Sequence, residues 1–317
     1  MVKRIGIDVG GTNVKIALVD DKGKIIYSNS VPTYANMGYE YTVNNIKQAI
    51  RDLLKETNSD SKSIQGIGFD FPGQVDYKKG IVKLAPNIPG WVNVPIAQMI
   101  EDEFHIPVKI DNDVRCAALG ELNFGAGKGC ENFVCITVGT GVGSGLVVNG
   151  KLVRGAANAA GEIGHIKLQM NDGPICGCGD TGCLEAFASG PSIVAMAQDY
   201  LKSGKSTKFR ELAGAEGEIT PYLVAKAAEA GDPVAKRIFE IIGTYLGLGL
   251  TSVINLLNPE KVIIGGGVAE AGELLLAPVR KTIQERAMVV ARESVEIVPA
   301  QLGNTAGVIG ASMLIAE

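Results

Sequence analysis

Two segments of this 317-residue chain carry the same order of features. Residues Ile7–Gly23 and Ile136–Gly150 each predict a strand, a Gly/Thr-rich turn, a second strand and a hairpin turn. The second hairpin turn, Asn149-Gly150, is among the strongest short-range hairpin signals. A chain of this length exceeds one ordinary core and suits two domains. We therefore expect an α/β protein built from two related halves around a central cleft.

Hydrophobic periodicity supplies the remaining elements. Strands are expected over Val2–Val9, Val14–Val19, Ile25–Val31, Ile64–Phe71, Val108–Ile110, Phe133–Val138, Leu146–Val148, Lys151–Val153, Lys261–Ile264 and Val295–Pro299. Helices are expected over Tyr41–Lys55, Val94–Phe104, Asp113–Phe124, Ser192–Lys202, Thr220–Ala230, Asp232–Asn255 and Thr305–Ala316. The helix beginning at Asp232 contains Gly243, Gly247 and Gly249, each costing about 1 kcal/mol. Close packing against another helix or a ligand would explain these glycines.

The two Gly/Thr turns have the composition of phosphate-binding loops. Asp8–Asn13 reads Asp-Val-Gly-Gly-Thr-Asn, and the second loop begins Gly139-Thr140-Gly141 within an expected turn reaching Gly145. Glycine lets backbone N–H groups approach phosphate oxygens, and a carboxylate suits Mg²⁺. One such loop could be an ordinary hairpin, but two in matching halves favour a phosphate clamp. Neither loop has the P-loop or dinucleotide-binding pattern.

A third glycine cluster, Gly265-Gly266-Gly267-Val268, follows a predicted strand and precedes a predicted helix. It suits close approach to a nucleotide base or ribose, although a plain turn explains it equally well.

Three cysteines and a histidine form the densest group of metal-ligating residues. Cys176, Cys178 and Cys183 follow His165 closely, as in a structural Cys₃His zinc site with no open coordination position. A metal there would fix the acidic residues Glu162 and Glu185 in a rigid wall suited to a ligand with many hydroxyls. The other cysteines, listed here, are expected to be buried small hydrophobic residues: Cys116, Cys130 and Cys135.

Asn112-Asp113 follows a short strand at the start of a helix. A helix cap is a sufficient explanation. The alternative is that Asp113 accepts a proton from a substrate hydroxyl while Asn112 orients that substrate, as phosphoryl transfer requires.

The segment Pro86–Trp91 is stiff because it contains two prolines. It could be an ordinary surface turn, or it could hold Asn87 against a ligand.

Composition excludes several classes. A net charge of −4, a pI near 5.5 and 5% aromatic residues argue against a nucleic-acid partner. The N-terminus enters a strand without a signal peptide, and the apolar runs are short or interrupted by glycine. We expect a cytoplasmic protein without a membrane span or disulfides.

Together, these motifs resemble the ROK family (repressors, open reading frames, sugar kinases), and most closely its bacterial glucokinases. The Gly161-Glu162-Ile-Gly164-His165 segment and the cysteine cluster are similar to the family signature, and Asn112-Asp113 to its catalytic pair. The resemblance covers essentially the whole chain. It implies the actin-like ATPase fold with two RNase H-like domains. These would be residues 1–112 with the helix at 304–317, and residues 113–303 with the zinc loop.

The resemblance also implies roles for individual residues. Asp113 would be the general base. The sugar would contact Gly73, Asn87, Asn112, Asp113, Glu162, His165 and Glu185. Asp8 would position Mg²⁺ within a nucleotide site formed by Asp8, Gly10, Gly11, Thr12, Asn13, Lys15, Thr140, Gly141, Gly265, Gly266, Gly267 and Val268. Zn²⁺ would be structural, held by His165, Cys176, Cys178 and Cys183.

The leading expectation is ATP-dependent phosphorylation of glucose at its 6-hydroxyl by a homodimer or homotetramer. Mannose, fructose, allose or an N-acetylhexosamine could replace glucose, and polyphosphate or ADP could replace ATP. A sugar-responsive repressor is the alternative of another class. Asp8 leaves no room ahead of it for the winged-helix domain that such repressors carry, so we expect an enzyme.

Overall fold

The computed structural model describes residues 2–86, 88–214 and 217–317. The strands are β1 (Lys3–Val9), β2 (Asn13–Asp20), β3 (Ile25–Pro32), β4 (Ile64–Phe71), β5 (Gln74–Asp76), β6 (Ile81–Leu84), β7 (Val92–Val94), β8 (Val108–Asn112), β9 (Phe133–Val138), β10 (Val142–Val148), β11 (Lys151–Val153), β12 (Lys261–Gly265) and β13 (Glu296–Pro299). The helices are α1 (Tyr39–Glu56), α2 (Ile96–Phe104), α3 (Asp113–Phe124), α4 (Leu184–Ala188), α5 (Gly190–Lys202), α6 (Phe209–Ala213), α7 (Pro221–Glu229), α8 (Pro233–Leu257), α9 (Glu273–Arg286), α10 (Val289–Ser294) and α11 (Ala306–Met313).

Two five-stranded sheets share one topology. Their orders are β3-β2-β1-β4-β8 and β11-β10-β9-β12-β13. In the first sheet β1 and β2 are antiparallel, whereas β4 and β8 run parallel to β1. In the second, β9, β12 and β13 are parallel. The internal repeat in the sequence therefore predicted a real structural repeat, and the α/β fold class is confirmed.

The chain forms two compact units. The first unit comprises residues up to Cys130, Gly145–Ala160 and Gln301–Glu317; the second comprises Glu131–Ser144 and Gly161–Ala300. This division differs from the expected boundary at residue 112, because α3 belongs to the first unit. There α3 lies against α11, and a β-carbon added at Gly310 would sit 1.7 Å from the carbonyl oxygen of Cys116.

Helix α11 also covers the first sheet, as expected for the C-terminal segment. A β-carbon added at Gly6 of β1 would lie 1.8 Å from the Val308 oxygen, and one at Gly68 of β4 would lie 1.7 Å from the Ala311 oxygen. Glycine at these two positions lets the helix backbone touch the sheet. This contact brings the start of α11 beside the carboxyl ends of β1 and β4.

Helix α8 is long and apolar enough, by length and composition, to cross a membrane. In the second unit it instead packs closely against α9. A β-carbon at Gly243 would lie 2.5 Å from Pro278 Cγ, and one at Gly247 would lie 2.6 Å from Thr282 Cβ. The expected reason for these helix glycines, close approach of a neighbouring helix, is confirmed.

Two sequence expectations about local structure were wrong, and one small sheet was not anticipated. The segment Val94–Phe104 is not one helix: β7 ends at Val94 and α2 begins at Ile96, after Pro95. The turn expected from Gly139 to Gly145 is shorter, because β10 already begins at Val142. The small sheet β5-β6-β7 was not anticipated, since its strands are only three or four residues long.

Candidate active site

The first glycine loop closes tightly at its base and is exposed at its tip. The Gly10 N–H donates to the Asn13 oxygen over 2.9 Å, and the Thr33 hydroxyl donates to the Gly10 oxygen over 2.6 Å. Gly11, Thr12 and Asn13 are exposed. Hydrogen bonds therefore fix the base of the loop, while the backbone at its tip remains accessible to a ligand.

Asp8 stands near the end of β1, beside this loop. Lys15 Nζ lies 3.3 Å from Asp8 Oδ2 and 3.4 Å from the Asn304 oxygen. The Asp8 side chain is 23% exposed, so its carboxylate is accessible. Carboxylate oxygen is the donor type that a hard divalent cation prefers, and the site chemistry fits Mg²⁺.

Asn112 caps α3, as the first of the two interpretations predicted, and its side chain also contacts the backbone of Gly73. Its side-chain oxygen accepts from the N–H groups of Val114 (3.1 Å) and Arg115 (3.4 Å), which caps α3. Its amide nitrogen donates to the Gly73 oxygen over 3.1 Å. The cap therefore also fixes the backbone at Gly73, so Gly73, Asn112 and Asp113 form one local group.

Asp113 begins α3 and is half-buried. Its Oδ1 accepts from the Val114 N–H over 2.9 Å. Burial raises the pKa of Asp113 to about 6; the Val114 hydrogen bond opposes this effect, and the charge of Asp8 adds to it. A carboxylate with a pKa near 6 is ionised at neutral pH and is a better proton acceptor than an ordinary aspartate.

The sequence analysis did not identify a buried ionic network centred on Asp111, the residue that precedes Asn112 and Asp113. Asp111 is fully buried and accepts from Arg115 Nη1 over 2.9 Å and from Arg154 Nε over 2.6 Å. Arg115 also donates to the Asn158 oxygen over 2.7 Å. The network fixes the end of β8 and the first turn of α3, and therefore the position of Asp113.

A second missed residue is Asp70, at the carboxyl end of β4. Asp70 pairs in register with Asp8 across parallel strands and is 1% exposed. Burial, followed by the charge of Asp8 and then that of Asp113, raises its pKa well above the usual value. The only sequence signal was an acidic residue inside an otherwise apolar strand.

In the second unit, Glu185 lies over the second glycine loop. Glu185 Oε2 accepts from the Val142 N–H over 2.9 Å, and a β-carbon added at Gly141 would lie 2.3 Å from that oxygen. The loop is also tied to the start of α5, because the Gly190 N–H donates to the Gly139 oxygen over 2.7 Å. Thr140 at the tip is exposed. The predicted sugar ligand Glu185 and the predicted phosphate loop are thus in direct contact.

The four predicted metal ligands converge in the same unit. Ligand atoms of His165, Cys176, Cys178 and Cys183 all lie within 4.8 Å of one another. The Cys178 and Cys183 sulfurs are 3.8 Å apart, and Cys176 Sγ is 3.7 Å from His165 Nδ1. A tetrahedral zinc site with Zn–S bonds of about 2.3 Å requires sulfur separations of about 3.8 Å. The donor set and its spacing therefore fit a four-coordinate metal.

The surroundings of the cluster act differently on its individual cysteines. Lys167 Nζ lies 3.0 Å from Cys183 Sγ. A hydrogen bond from the Asp180 backbone lowers the pKa of Cys178, whereas burial raises the pKa of Cys176 to about 12. Cys176 Sγ also lies 3.5 Å from Glu185 Oε1, which connects the cluster to the loop contact described above.

Glu162 precedes a single 3₁₀ turn, Ile163–His165, and His165 is its last residue; both side chains are exposed. The turn is held against β10, because a β-carbon added at Gly164 would lie 2.2 Å from the Val142 oxygen. The predicted sugar ligands Glu162, His165 and Glu185 therefore belong to one compact region of the second unit.

The third glycine cluster has the expected placement. Gly265 ends β12, and a 3₁₀ helix, Gly267–Ala271, precedes α9. Gly266 and Gly267 are exposed, whereas Val268 is buried. A small cavity of about 90 Å³ is lined there by Gly267, Val268, Pro221, Tyr222, Lys226 and Phe239, among other residues.

The segment with Asn87 is only partly described, and Asn87 itself lies outside the described residues. Trp91, which follows it, is 1% exposed and lies on Phe71 with ring centroids 4.9 Å apart. This packing anchors one end of the loop in the core of the first unit.

A larger cavity of about 450 Å³ in the first unit contains none of the predicted site residues. It is lined by Tyr77, Lys79, Lys109, Arg154, Glu317 and neighbouring residues.

Two sheets with the same strand order, each carrying a Gly/Thr loop between its first two strands in the sequence, define the actin-like ATPase fold of ROK sugar kinases. The chain belongs to the ROK family, whose family model matches residues 4–317. The resemblance predicted from the motifs is thereby confirmed.

Three relatives illustrate the family. A glucokinase of Halalkalibacterium halodurans is 38% identical over 313 residues, covering 99% of this chain and 94% of the relative. A ROK glucokinase of Streptomyces griseus, solved with glucose and AMPPNP, is 35% identical, with a TM-score of 0.83 and 98% of each chain covered. The xylose repressor of Caldicellulosiruptor bescii is 33% identical; the match covers 98% of this chain and 77% of the repressor.

Proposed function

We propose that this protein is a glucokinase that transfers the γ-phosphoryl group of ATP to the 6-hydroxyl of glucose. The single observation that carries the proposal is Asp113, a partly buried carboxylate with a raised pKa beside a helix-capping asparagine, in a chain that is similar to glucokinases over its whole length.

Asp113 would act as the general base. As the sugar 6-oxygen attacks the γ-phosphorus, the Asp113 carboxylate takes the hydroxyl proton, and ADP leaves with the bridging oxygen. Asn112 would orient the same hydroxyl, and its hydrogen bond to Gly73 would keep that backbone in place to contact the sugar. Positioning supplies most of the rate enhancement in such reactions.

The remaining sugar contacts would come from polar side chains. Asn87 is proposed for the first unit, and Glu162, His165 and Glu185 for the second. Glu185 Oε2 accepts from the Val142 N–H, and Glu185 Oε1 would accept from a sugar hydroxyl in place of Cys176 Sγ, which lies 3.5 Å from it.

The nucleotide would be held by exposed glycine-rich backbone. The proposed phosphate contacts are Gly10, Gly11, Thr12, Asn13, Lys15, Thr140 and Gly141. The proposed adenosine contacts are Gly265, Gly266, Gly267 and Val268, beside the 90 Å³ cavity. Asp8 would hold Mg²⁺, which when bound offsets the negative charge of the phosphates.

We further propose that His165, Cys176, Cys178 and Cys183 bind one structural Zn²⁺. All four positions are filled by protein atoms, so the metal would stabilise the loop that carries His165 and abuts Glu185, and would not bind substrate. Metal analysis of the purified protein should find about one zinc per chain, from the four-ligand count. Fully active protein without metal would contradict this assignment.

A homodimer or homotetramer is proposed from an exposed apolar area at the end of α8 and on α10. Leu256, Met288, Val289 and Val290 are each more than half exposed. The Met288 N–H donates to Asn255 Oδ1 over 2.9 Å, which fixes these two elements together. Light scattering after size-exclusion chromatography would test this proposal, and a monomer at micromolar concentration would contradict it.

We place the enzyme in the cytoplasm, where ATP is available.

A coupled-enzyme assay tests the function directly. Glucose, mannose, fructose, allose and N-acetylhexosamines should be compared, each with ATP, ADP and polyphosphate as donor. The proposal predicts the highest kcat/KM for glucose with ATP. Preference for another hexose by tenfold or more would move the assignment to a different ROK kinase.

A further inference from the structure

Asp70 has no role among the residues assigned so far. Among the carboxylates of the described residues, it alone has a buried side-chain oxygen without a hydrogen-bond partner. It is 1% exposed, and its Oδ1 is buried with no hydrogen-bond partner in the described residues. Leaving a charged oxygen buried and unpaired is costly, so such a group normally has a counter-charge or a proton.

Asp70 faces Asp8 at the same edge of the sheet. The two residues are partners in the parallel register of β1 and β4, so their side chains project to one side. A β-carbon added at Gly307 would lie 3.5 Å from the Asp70 carboxyl carbon and 3.6 Å from that of Asp8. Both carboxyl groups thus lie against the first turn of α11.

The pair is short of positive charge. Lys15 is the only ion-pair partner of either carboxylate within residues 2–86, 88–214 and 217–317, and it contacts Asp8 alone. Its side chain is 46% exposed, so water weakens its effect on the buried member of the pair. Asp113 adds a further negative charge that acts on Asp70.

We propose that Asp70 and Asp8 together bind a divalent cation, and that Asp70 supplies a second carboxylate to the Mg²⁺ site of the proposed kinase. Mg²⁺ is commonly bound by one or two carboxylates together with waters and substrate phosphates, and the unpaired Asp70 oxygen provides the second. The paired carboxylates bind the cation before the nucleotide arrives. The assignment rests on the proposed function only for the identity of the physiological cation.

Mn²⁺ binding without nucleotide tests this site independently of catalysis. The loss of the free Mn²⁺ electron paramagnetic resonance signal should be titrated with wild-type protein, Asp70→Asn, Asp8→Asn and Asp102→Asn. Asp102 is an exposed aspartate on α2 and serves as the matched control. Asp70→Asn keeps the side-chain shape and can still donate a hydrogen bond to Asp8, so it distinguishes a metal ligand from a protonated partner.

The proposal predicts one Mn²⁺ site in the wild type and a Kd about tenfold or more higher in both Asp70→Asn and Asp8→Asn. Asp102→Asn should bind like the wild type. Unchanged Mn²⁺ affinity in folded Asp70→Asn would overturn the proposal. It would show that Asp70 is not a metal ligand and that it shares a proton with Asp8 instead. Absence of a site in wild-type protein at millimolar Mn²⁺ would also overturn it. If the wild-type protein binds Mn²⁺ at this site but does not phosphorylate glucose, the proposed function is refuted and the cation site stands.

Discussion

Replacing Asp113 with asparagine should separate substrate binding from turnover. The amide is nearly isosteric and its oxygen can keep the hydrogen bond from the Val114 N–H, but it cannot accept the hydroxyl proton. We expect kcat to fall about 10²–10⁴-fold, the usual contribution of a positioned general base. The glucose Kd, measured calorimetrically, should change by less than about threefold because the helix cap at Asn112 is untouched.

The same substitution should stabilise the fold. Burial raises the pKa of Asp113 from 3.8 to about 6, which corresponds to at most about 3 kcal/mol at neutral pH. Solvent reaches this half-buried side chain, so about 1–2 kcal/mol is the better expectation. Between pH 4 and 6 the folded state binds more protons than the unfolded state, so this residue makes wild-type stability fall as pH rises.

The pH profile gives an internal check. A base with a pKa of about 6 is about one-tenth ionised at pH 5, so wild-type kcat/KM there should be about tenfold below its plateau above pH 7. A base with an unshifted pKa would retain most of its activity at pH 5. Urea unfolding at pH 7.5 measures the stability change, with Asp102→Asn as the control. Near-normal turnover by Asp113→Asn, or clear loss of stability, would refute the reasoning.

Three further substitutions test the supporting structure. Gly141→Ala should lower kcat/KM for both substrates by about tenfold, because the new methyl group would lie 2.3 Å from Glu185 Oε2 and must displace that carboxylate. Arg115→Met should lower the free energy of unfolding in urea by about 3 kcal/mol, since it leaves buried Asp111 with one arginine instead of two. Cys178→Ala should reduce zinc to well below one per chain and raise the glucose KM.

Each of these substitutions has a control and a contradicting result. Gly139→Ala adds a methyl group that meets nothing within 4 Å, so it should have a smaller effect than Gly141→Ala; equal effects would exclude the steric argument. Cys130→Ala, outside the cluster, should retain full zinc. A loss below 1 kcal/mol in Arg115→Met would show that the second arginine contributes little, and unchanged glucose KM in Cys178→Ala would separate the metal from sugar binding.

Features set by neighbouring residues were predictable from the sequence. The Asn149-Gly150 turn joins β10 to β11 with both residues at positive φ, as the dipeptide indicates. The cysteine cluster was predictable as well, because its three cysteines lie within eight positions and recruit one nearby histidine. Asn112 as a helix cap follows from the same local logic.

Features set by strand register or long-range pairing were not predictable. Asp70 meets Asp8 only because β4 lies beside β1 in a particular register, and nothing local in either strand specifies that partner. The ionic network of Asp111 likewise depends on Arg154, which follows β11 and lies 43 residues further along the chain. The contact between Glu185 and the Val142 N–H, which joins a predicted sugar ligand to a predicted phosphate loop, depends on the packing of the second unit.

The most direct test of the central claim compares glucose with 6-deoxyglucose in the presence of ATP. Nuclear magnetic resonance of the products should show glucose 6-phosphate and stoichiometric ADP from glucose. The deoxy sugar, which lacks the hydroxyl that Asp113 deprotonates, should inhibit competitively and yield no sugar phosphate. Phosphorylation of glucose at another position, or of 6-deoxyglucose at any position, would contradict the account.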